Sequence, residues 1–226
     1  ILLTDLVNNS GSTLEISNVN TALAFFPTWG NQNGFVAQFD NVRIVSAGDS
    51  NGKTQVIANL YDDATIGDII FNSYNPDGFV TATEIAEGDR GNVIEIVKTG
   101  GTGNWYLDSS ASPFDISGYA AGSELVFDMF VVSADAGVDL YIKLDSGWPN
   151  VSDVIIDSST VGEWQEVRIN LQTLLADGNA FSEGSYADAT NIVNPFVMEP
   201  TGVMTVKFDN IRYESPDNSE VEIALY

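Results

Sequence analysis

The chain has 226 residues, 44% of them hydrophobic, with 32 acidic against 8 basic side chains, no histidine and no cysteine. A net charge of −24 argues against a nucleic-acid partner, which needs a basic stripe to displace counterions, and against docking on anionic lipid. The hydrophobic share is that of a folded chain, not of an acidic disordered tail, and without His or Cys the usual nucleophile–base pairs are missing.

The first segment returns near the end. Phe39-Asp40-Asn41-Val42-Arg43-Ile44 comes back as Phe208-Asp209-Asn210-Ile211-Arg212-Tyr213, and Gln55-Val56-Ile57-Ala58-Asn59-Leu60-Tyr61 as Glu220-Val221-Glu222-Ile223-Ala224-Leu225-Tyr226. Upstream, Asn18, Val19, Pro27 and Thr28 align with Asn191, Ile192, Pro200 and Thr201. Self-similarity of this kind reads as a window on tandem repeats. Residues 1–46 are then the C-terminal part of a preceding repeat, 47–214 a complete module, and 215–226 the first strand of a following repeat. The central piece is large enough to bury about 70% of its unfolded surface. The first piece is too short for that and must pack on something: the central module, a neighbouring chain or an unseen part of its own module. A single domain with internal pseudo-symmetry is the alternative.

Through the central piece the pattern is all-β. Segments 93–98, 124–132, 138–144, 164–171 and 204–213 are strand-like in length and rich in Val, Ile, Phe and Tyr. Leu125, Phe127, Met129 and Val131 alternate onto one side. Val138, Leu140, Ile142 and Leu144 make a second apolar face, punctuated by Asp139, Tyr141 and Lys143. Turn clusters separate them at Asn75-Pro76-Asp77-Gly78, Gly100-Gly101-Thr102-Gly103 and Asp135-Ala136-Gly137. A short helix is expected only around 171–176. Many strands with long loops predict a jelly-roll β-sandwich.

The order of motifs then resembles a known family. Pro113-Phe114-Asp115-Ile116-Ser117, Glu124-Leu125-Val126-Phe127-Asp128, Leu144-Asp145-Ser146-Gly147-Trp148-Pro149, Glu163-Trp164-Gln165-Glu166-Val167, Asn194-Pro195-Phe196 and the closing Phe208-Asp209-Asn210-Ile211-Arg212 follow one another as expected. The series resembles the galactose-binding-like, carbohydrate-binding β-sandwich appended to marine exo-β-glucanases of glycoside hydrolase family 3. Tyr61-Asp62-Asp63-Ala64 fits the start of such a module. Many relatives carry a cysteine pair flanking the Gly-aromatic-Pro turn, where this chain has Ser146 and Asn150. The resemblance implies a non-catalytic module of a large secreted bacterial protein. It also implies a structural calcium tying first strand to last, with Asp62, Asp63, Asp209 and Asn210 as ligands and Asp40 as the partial repeat's equivalent. Lys207 or Arg212 could neutralise the last-strand carboxylates instead.

Sugar binding needs flat apolar rings for pyranose C–H faces and polar partners for hydroxyls. Trp148, between Gly147 and Pro149 in a polar loop, and Trp105 with Tyr106, after the glycine-rich turn, are the platform candidates. Asp145, Asn150 and Asn104 are the hydroxyl partners. Trp164 starts a strand and reads as core, while Trp29 sits in a loop that the second copy shortens. The expected partner is a polysaccharide or cell-surface glycan. The alternative is a structural repeat of an extracellular adhesin or filament, in contact with adjacent repeats and sharing strands with them. The short linkers at 46–54 and 214–219 and the apolar start Ile1-Leu2-Leu3 are compatible with it.

Overall fold

The computed structural model describes residues 43–44, 54–216 and 223–224. In chain order the strands are β1 (Arg43–Ile44), β2 (Thr54–Asp62), β3 (Ala64–Thr65), β4 (Ile70–Tyr74), β5 (Val80–Ala86), β6 (Asn92–Lys98) and β7 (Asn104–Asp108). They continue with β8 (Glu124–Ala134), β9 (Leu140–Asp145), β10 (Val151–Ile156), β11 (Trp164–Asn170), β12 (Asn194–Pro200), β13 (Met204–Pro216) and β14 (Ile223–Ala224). The described residues contain one α-helix, α1 (Leu171–Asp177), started by Asn170, whose side chain accepts the Thr173 amide at 2.9 Å.

The chain divides into two compact units, Gly48–Ser219 and a smaller one of Ile1–Ala47 with Glu220–Tyr226. In the smaller unit β1 pairs antiparallel with β14. The larger unit is a β-sandwich. One sheet has five strands in the order β10-β9-β12-β7-β4, and the other has seven, running β11-β8-β13-β2-β3 with β6 between β13 and β5. Its named strands pair antiparallel throughout. The expected β-sandwich is therefore present, and β3, β4, β5, β7, β10 and β12 are strands beyond those read from the pattern.

Strand β13 organises the larger sheet. One edge pairs along β8, while the other pairs with β6 through Met204–Phe208 and with β2 through Ile211–Pro216. The change of partner falls at Asp209 and Asn210, where the register against β8 shifts and Asn210 takes φ 50°. A bulge of this kind bends a strand and lets it serve two neighbours.

Alternation decides the core. Leu125, Phe127, Met129 and Val131 of β8 are all buried, as their spacing predicts. They meet Phe71, Trp105, Leu107, Phe196 and Met198 from the facing sheet. Phe196 lies at the centre of an aromatic cluster, with ring centroids 5.1 Å from Phe127, 5.2 Å from Phe208 and 6.3 Å from Trp105. The glycine-rich turn is pinned rather than loose. Buried Lys98 donates to the Gly103 carbonyl at 3.0 Å and the Pro200 carbonyl at 2.6 Å, and burial lowers its pKa. β7 therefore starts directly at Asn104.

Truncation of the central ring tests this core. Phe196→Ala is expected to cost about 3–5 kcal/mol in urea unfolding, and a loss below about 1 kcal/mol would show that the cluster does not carry the packing.

Candidate functional site

The two sheets present very different outer faces. That of the seven-stranded sheet is covered by ion pairs. Arg168 bonds Glu124, Glu166 and Glu214, Arg212 bonds Glu166 and Glu214, and Lys207 bonds Glu87. Arg90 reaches Asp128 at 2.8 Å and Asp209 at 3.0 Å, with its guanidinium 4.1 Å from the Trp164 ring centroid. Trp164 is thus half-buried under a cation on this face, not in the core, because the alternation of β11 sends it outward opposite Phe130.

The outer face of the five-stranded sheet carries aromatic rings and amides. Registers place Asn72, Tyr106, Val197, Lys143 and Asp153 in one row across it. Tyr74 and Asn104 pair in the next row, and Glu199 and Tyr141 continue it, with Asn104 donating to Glu199 at 3.2 Å. Lys143 is buried, with Nζ 2.9 Å from Glu199 and 3.6 Å from Asp153. Its ammonium also sits 4.1 Å from the Phe181 ring, and Phe181 in turn lies 5.2 Å from Tyr141. Tyr74 and Phe181 remain 57% and 50% exposed.

Hydrogen bonds fix the polar groups on this face. Asn72 donates to Asp108 at 2.9 Å. Burial works to raise the Asp108 carboxyl, but the hydrogen bonds from Ser110 and Asn72 prevail and hold it below its usual range. Burial, followed by the charges of Asp108 and Asp145, raises the Tyr106 hydroxyl, which stays protonated as a donor at neutral pH.

The expected sugar residues separate on this frame. Tyr106 and Asn104 lie on the face just described. Trp105 does not: it is 2% exposed, edge-on to Phe71 at 5.3 Å, because successive residues of β7 point to opposite sides. Its role as a platform is corrected to that of a core ring, and its indole Nε1 finds no hydrogen-bond partner. Trp148 is 67% exposed in the turn after β9, ahead of a cis bond to Pro149. Asp145 shapes that turn, accepting the Gly147 amide and, at 2.8 Å, the Asn194 side chain. Asn150 is exposed, and its main chain closes the turn through Gly147 and Ser146. Ser146 holds the loop by exchanging hydrogen bonds with the Asp188 main chain at 2.9 and 3.1 Å.

Tyr141, Tyr74, Phe181, Glu199, Lys143 and Asn72 were not selected from the sequence. For Tyr141 and Lys143 the signal was present, since both alternate with the apolar residues of β9. Phe181 gave none, because only the fold brings its loop onto the sheet.

The expected metal ligands also separate. Asp62 and Asn210 line one cleft of about 460 Å³ with Asn59 and Asp128. Asp63, at φ 60°, accepts the Asn92 amide at 2.7 Å. Asp209 is 2% exposed, and Arg90, rather than Lys207 or Arg212, neutralises it. Asp40 and Trp29 lie outside the described residues. Among the described residues no three acidic side chains are grouped so as to hold a metal ion by themselves.

No family model and no curated protein matches the chain. Solved structures do. The family 30 carbohydrate-binding module of a cellulosomal cellulase from Clostridium thermocellum superposes with a TM-score of 0.53 at 18% identity, over 70% of this chain and 97% of that one. The extra C-terminal domain of an exo-1,3/1,4-β-glucanase from a Pseudoalteromonas species gives 0.52 at 7% identity, over 69% and 90%. Against the exo-1,3/1,4-β-glucanase structure from the same organism the score is 0.53 at 9% identity, covering 77% of this chain but 22% of the enzyme. The fold is therefore one shared with the family 30 carbohydrate-binding module and with the glucanase C-terminal domain, the kind of domain that the motif series resembles.

Asp209 offers an electrostatic test of the ion-paired face. Burial raises its carboxyl above the ordinary 3.8, and the Arg90 and Asn210 hydrogen bonds offset only part of that. A carboxyl raised in the folded state holds its proton more tightly there than in the unfolded chain. Its contribution to stability therefore declines as pH rises past 3.8. Asp209→Asn cannot titrate, so its stability relative to the parent should improve as pH is raised from about 4 to about 6. Urea unfolding at several pH values checks this, and a gap that widens to the variant's disadvantage contradicts it.

Proposed function

We propose that this chain is a non-catalytic, polysaccharide-binding module of a secreted bacterial protein, and that the polymer lies across the outer face of the five-stranded sheet. The observation that carries this reading is the contrast between the two faces. One is closed by ion pairs. The other sets Tyr74, Tyr106, Tyr141 and Phe181 beside Asn72, Asn104 and Glu199, which is the combination of flat apolar surface and fixed hydroxyl partners that a sugar needs. The carboxylates of this face are engaged with Lys143, Asn72, Asn194 and Ser110. That commitment favours binding over hydrolysis, for which a free acid and base must flank the scissile bond. Exposed Trp148 supports a second reading, in which the hairpin turn grips the polymer. Among the described residues no helix is long and apolar enough to cross a membrane.

A structural calcium forms part of the proposal. Calcium takes six to eight oxygens, amides and main-chain carbonyls included. Asp62, Asp128, Asn59 and Asn210 supply part of such a set within one cleft, which Glu166 and Arg212 also line, and a net charge of −24 on the chain favours taking up cations in general.

Affinity electrophoresis through laminarin, agarose, alginate or xylan tests the ligand and the face together. Retardation is expected in at least one gel. Tyr106→Ala and Tyr141→Ala should weaken it about tenfold, equivalent to about 1.4 kcal/mol. If Trp148→Ala alone abolishes retardation, the site moves to the hairpin, and no retardation in any gel by folded protein sinks the reading. For calcium, the melting temperature should rise on adding the ion and fall with chelator, and Asp62→Asn should remove the response. At a hundredfold excess over Kd the gain is about 2.7 kcal/mol, and an unmoved melt excludes the ion.

A further inference from the structure

The smaller unit reproduces, across the two ends of the chain, a strand pairing of the larger one. In the larger unit β13 and β2 run antiparallel with Arg212 opposite Asn59 and Tyr213 opposite Ala58. The sequence repeat puts Arg43 in the place of Arg212, Ile44 in that of Tyr213, Ile223 in that of Ala58 and Ala224 in that of Asn59. Transferred through the repeat, the register of the larger unit requires Arg43 opposite Ala224 and Ile44 opposite Ile223. Those are the pairs β1 and β14 make, and they are antiparallel. A slip of one residue would send every side chain of a strand to the wrong face. Partner, direction and register therefore agree on one arrangement out of many.

We propose that Ile223–Ala224 belong to a donated first strand, which completes against Arg43–Ile44 a second copy of the β2–β13 pair. In the larger unit the first strand precedes the last along the chain. In the smaller unit this order is inverted, with the whole of the larger unit between the two strands. Their union is then made by main-chain hydrogen bonds between separate segments, the device of β-augmentation. The occupant of the edge at β1 is a strand of this chain's own sequence. Because nothing covalent joins the pair locally, a second copy of the chain can supply the same strand by exchange. The inference does not depend on sugar binding.

An engineered disulfide reads the register directly, since the chain has no cysteine of its own. Opposed residues in an antiparallel ladder alternate between Cα spacings of about 5.5 and 4.5 Å, both within disulfide range. The full chain is prepared as Ile44→Cys/Ile223→Cys, as Arg43→Cys/Ala224→Cys, and as the diagonal control Arg43→Cys/Ile223→Cys, whose side chains belong to opposite faces. On mild oxidation at least one opposed pair should form a disulfide within the monomer, seen by non-reducing gel and peptide mass, while the control stays reduced. Disulfide-linked multimers at the opposed pairs alone support donation from a second copy. Equal oxidation of all three, or of none, overturns the register. Hydrogen exchange gives a second reading free of cysteine. Ile223→Pro is incompatible with a paired strand position and should abolish amide protection at Arg43 and Ile44, leaving 54–216 unchanged. Protection that survives the proline overturns the donation.

Discussion

The larger unit hangs on the change of partner within β13. A single strand holds β8 along one edge while passing from β6 to β2 along the other, and this is possible only because the backbone bulges at Asp209 and Asn210. The bulge carries an electrostatic cost. It brings the buried Asp209 carboxylate beside Asp128, and two carboxylates in a place of low polarity repel unless something lies between them. Arg90 fills that place, held from the 3-10 turn Gly88–Arg90 and braced on the Trp164 ring. Arg90, Asp128, Asp209 and Asn210 therefore act as one joint. Removing the cation would leave a buried charge unpaired, which is far more damaging than losing a surface ion pair.

The scarcity of cations makes their placement informative. With 8 basic side chains against 32 acidic ones, each cation has several possible partners, and their positions show where charge most needs to be cancelled. Arg90, Arg168, Lys207 and Arg212 all serve the outer face of the seven-stranded sheet. Lys98 is spent on carbonyls of the glycine-rich turn. Lys143 lies on the five-stranded sheet, enclosed by Glu199, Asp153, Tyr141 and Phe181. It behaves as a rigid strut beneath the rings rather than a free charge. That rigidity suits recognition, because a platform fixed in advance loses little entropy when a ligand settles on it.

Much of this architecture was legible in the residues, and the misses share a cause. The alternation Leu125, Phe127, Met129 and Val131 named the buried side of β8, and the ordered motifs named the fold. Trp105 and Trp164 were read the wrong way round. Trp105 follows a glycine-rich turn that reads as flexible, but Lys98 pins that turn and β7 begins at once, so alternation buries the indole. Trp164 opens a strand in a core-like motif, yet its pleat faces out and the apolar ring is covered by Arg90. Local sequence gives the period of a strand but not its phase, and the phase depends on partners distant in the chain: Trp105 lies opposite Ser73 and Met198, and Trp164 opposite Phe130. Phe181 shows the same limit. Nothing near it in sequence says that its loop returns over β9.

If the chain binds polymer and exchanges strands as proposed, the two sheets let those two tasks proceed independently. In the larger unit the pairing that joins first strand to last belongs to the seven-stranded sheet, whereas the aromatic face belongs to the other. A first strand supplied in trans would complete the same ladder and leave Tyr74, Tyr106 and Tyr141 where they are, since none of them touches β2 or β13 through the main chain. Repeats built on this plan could exchange strands at one sheet and still hold polymer at the other. The sequence bears the mark of that division. The segment Phe-Asp-Asn-Val/Ile-Arg occurs at both places in the sequence, while the eight residues 27–34 correspond to the three residues 200–202. Joining demands one register and tolerates little change, whereas loops vary freely without disturbing the frame that carries them.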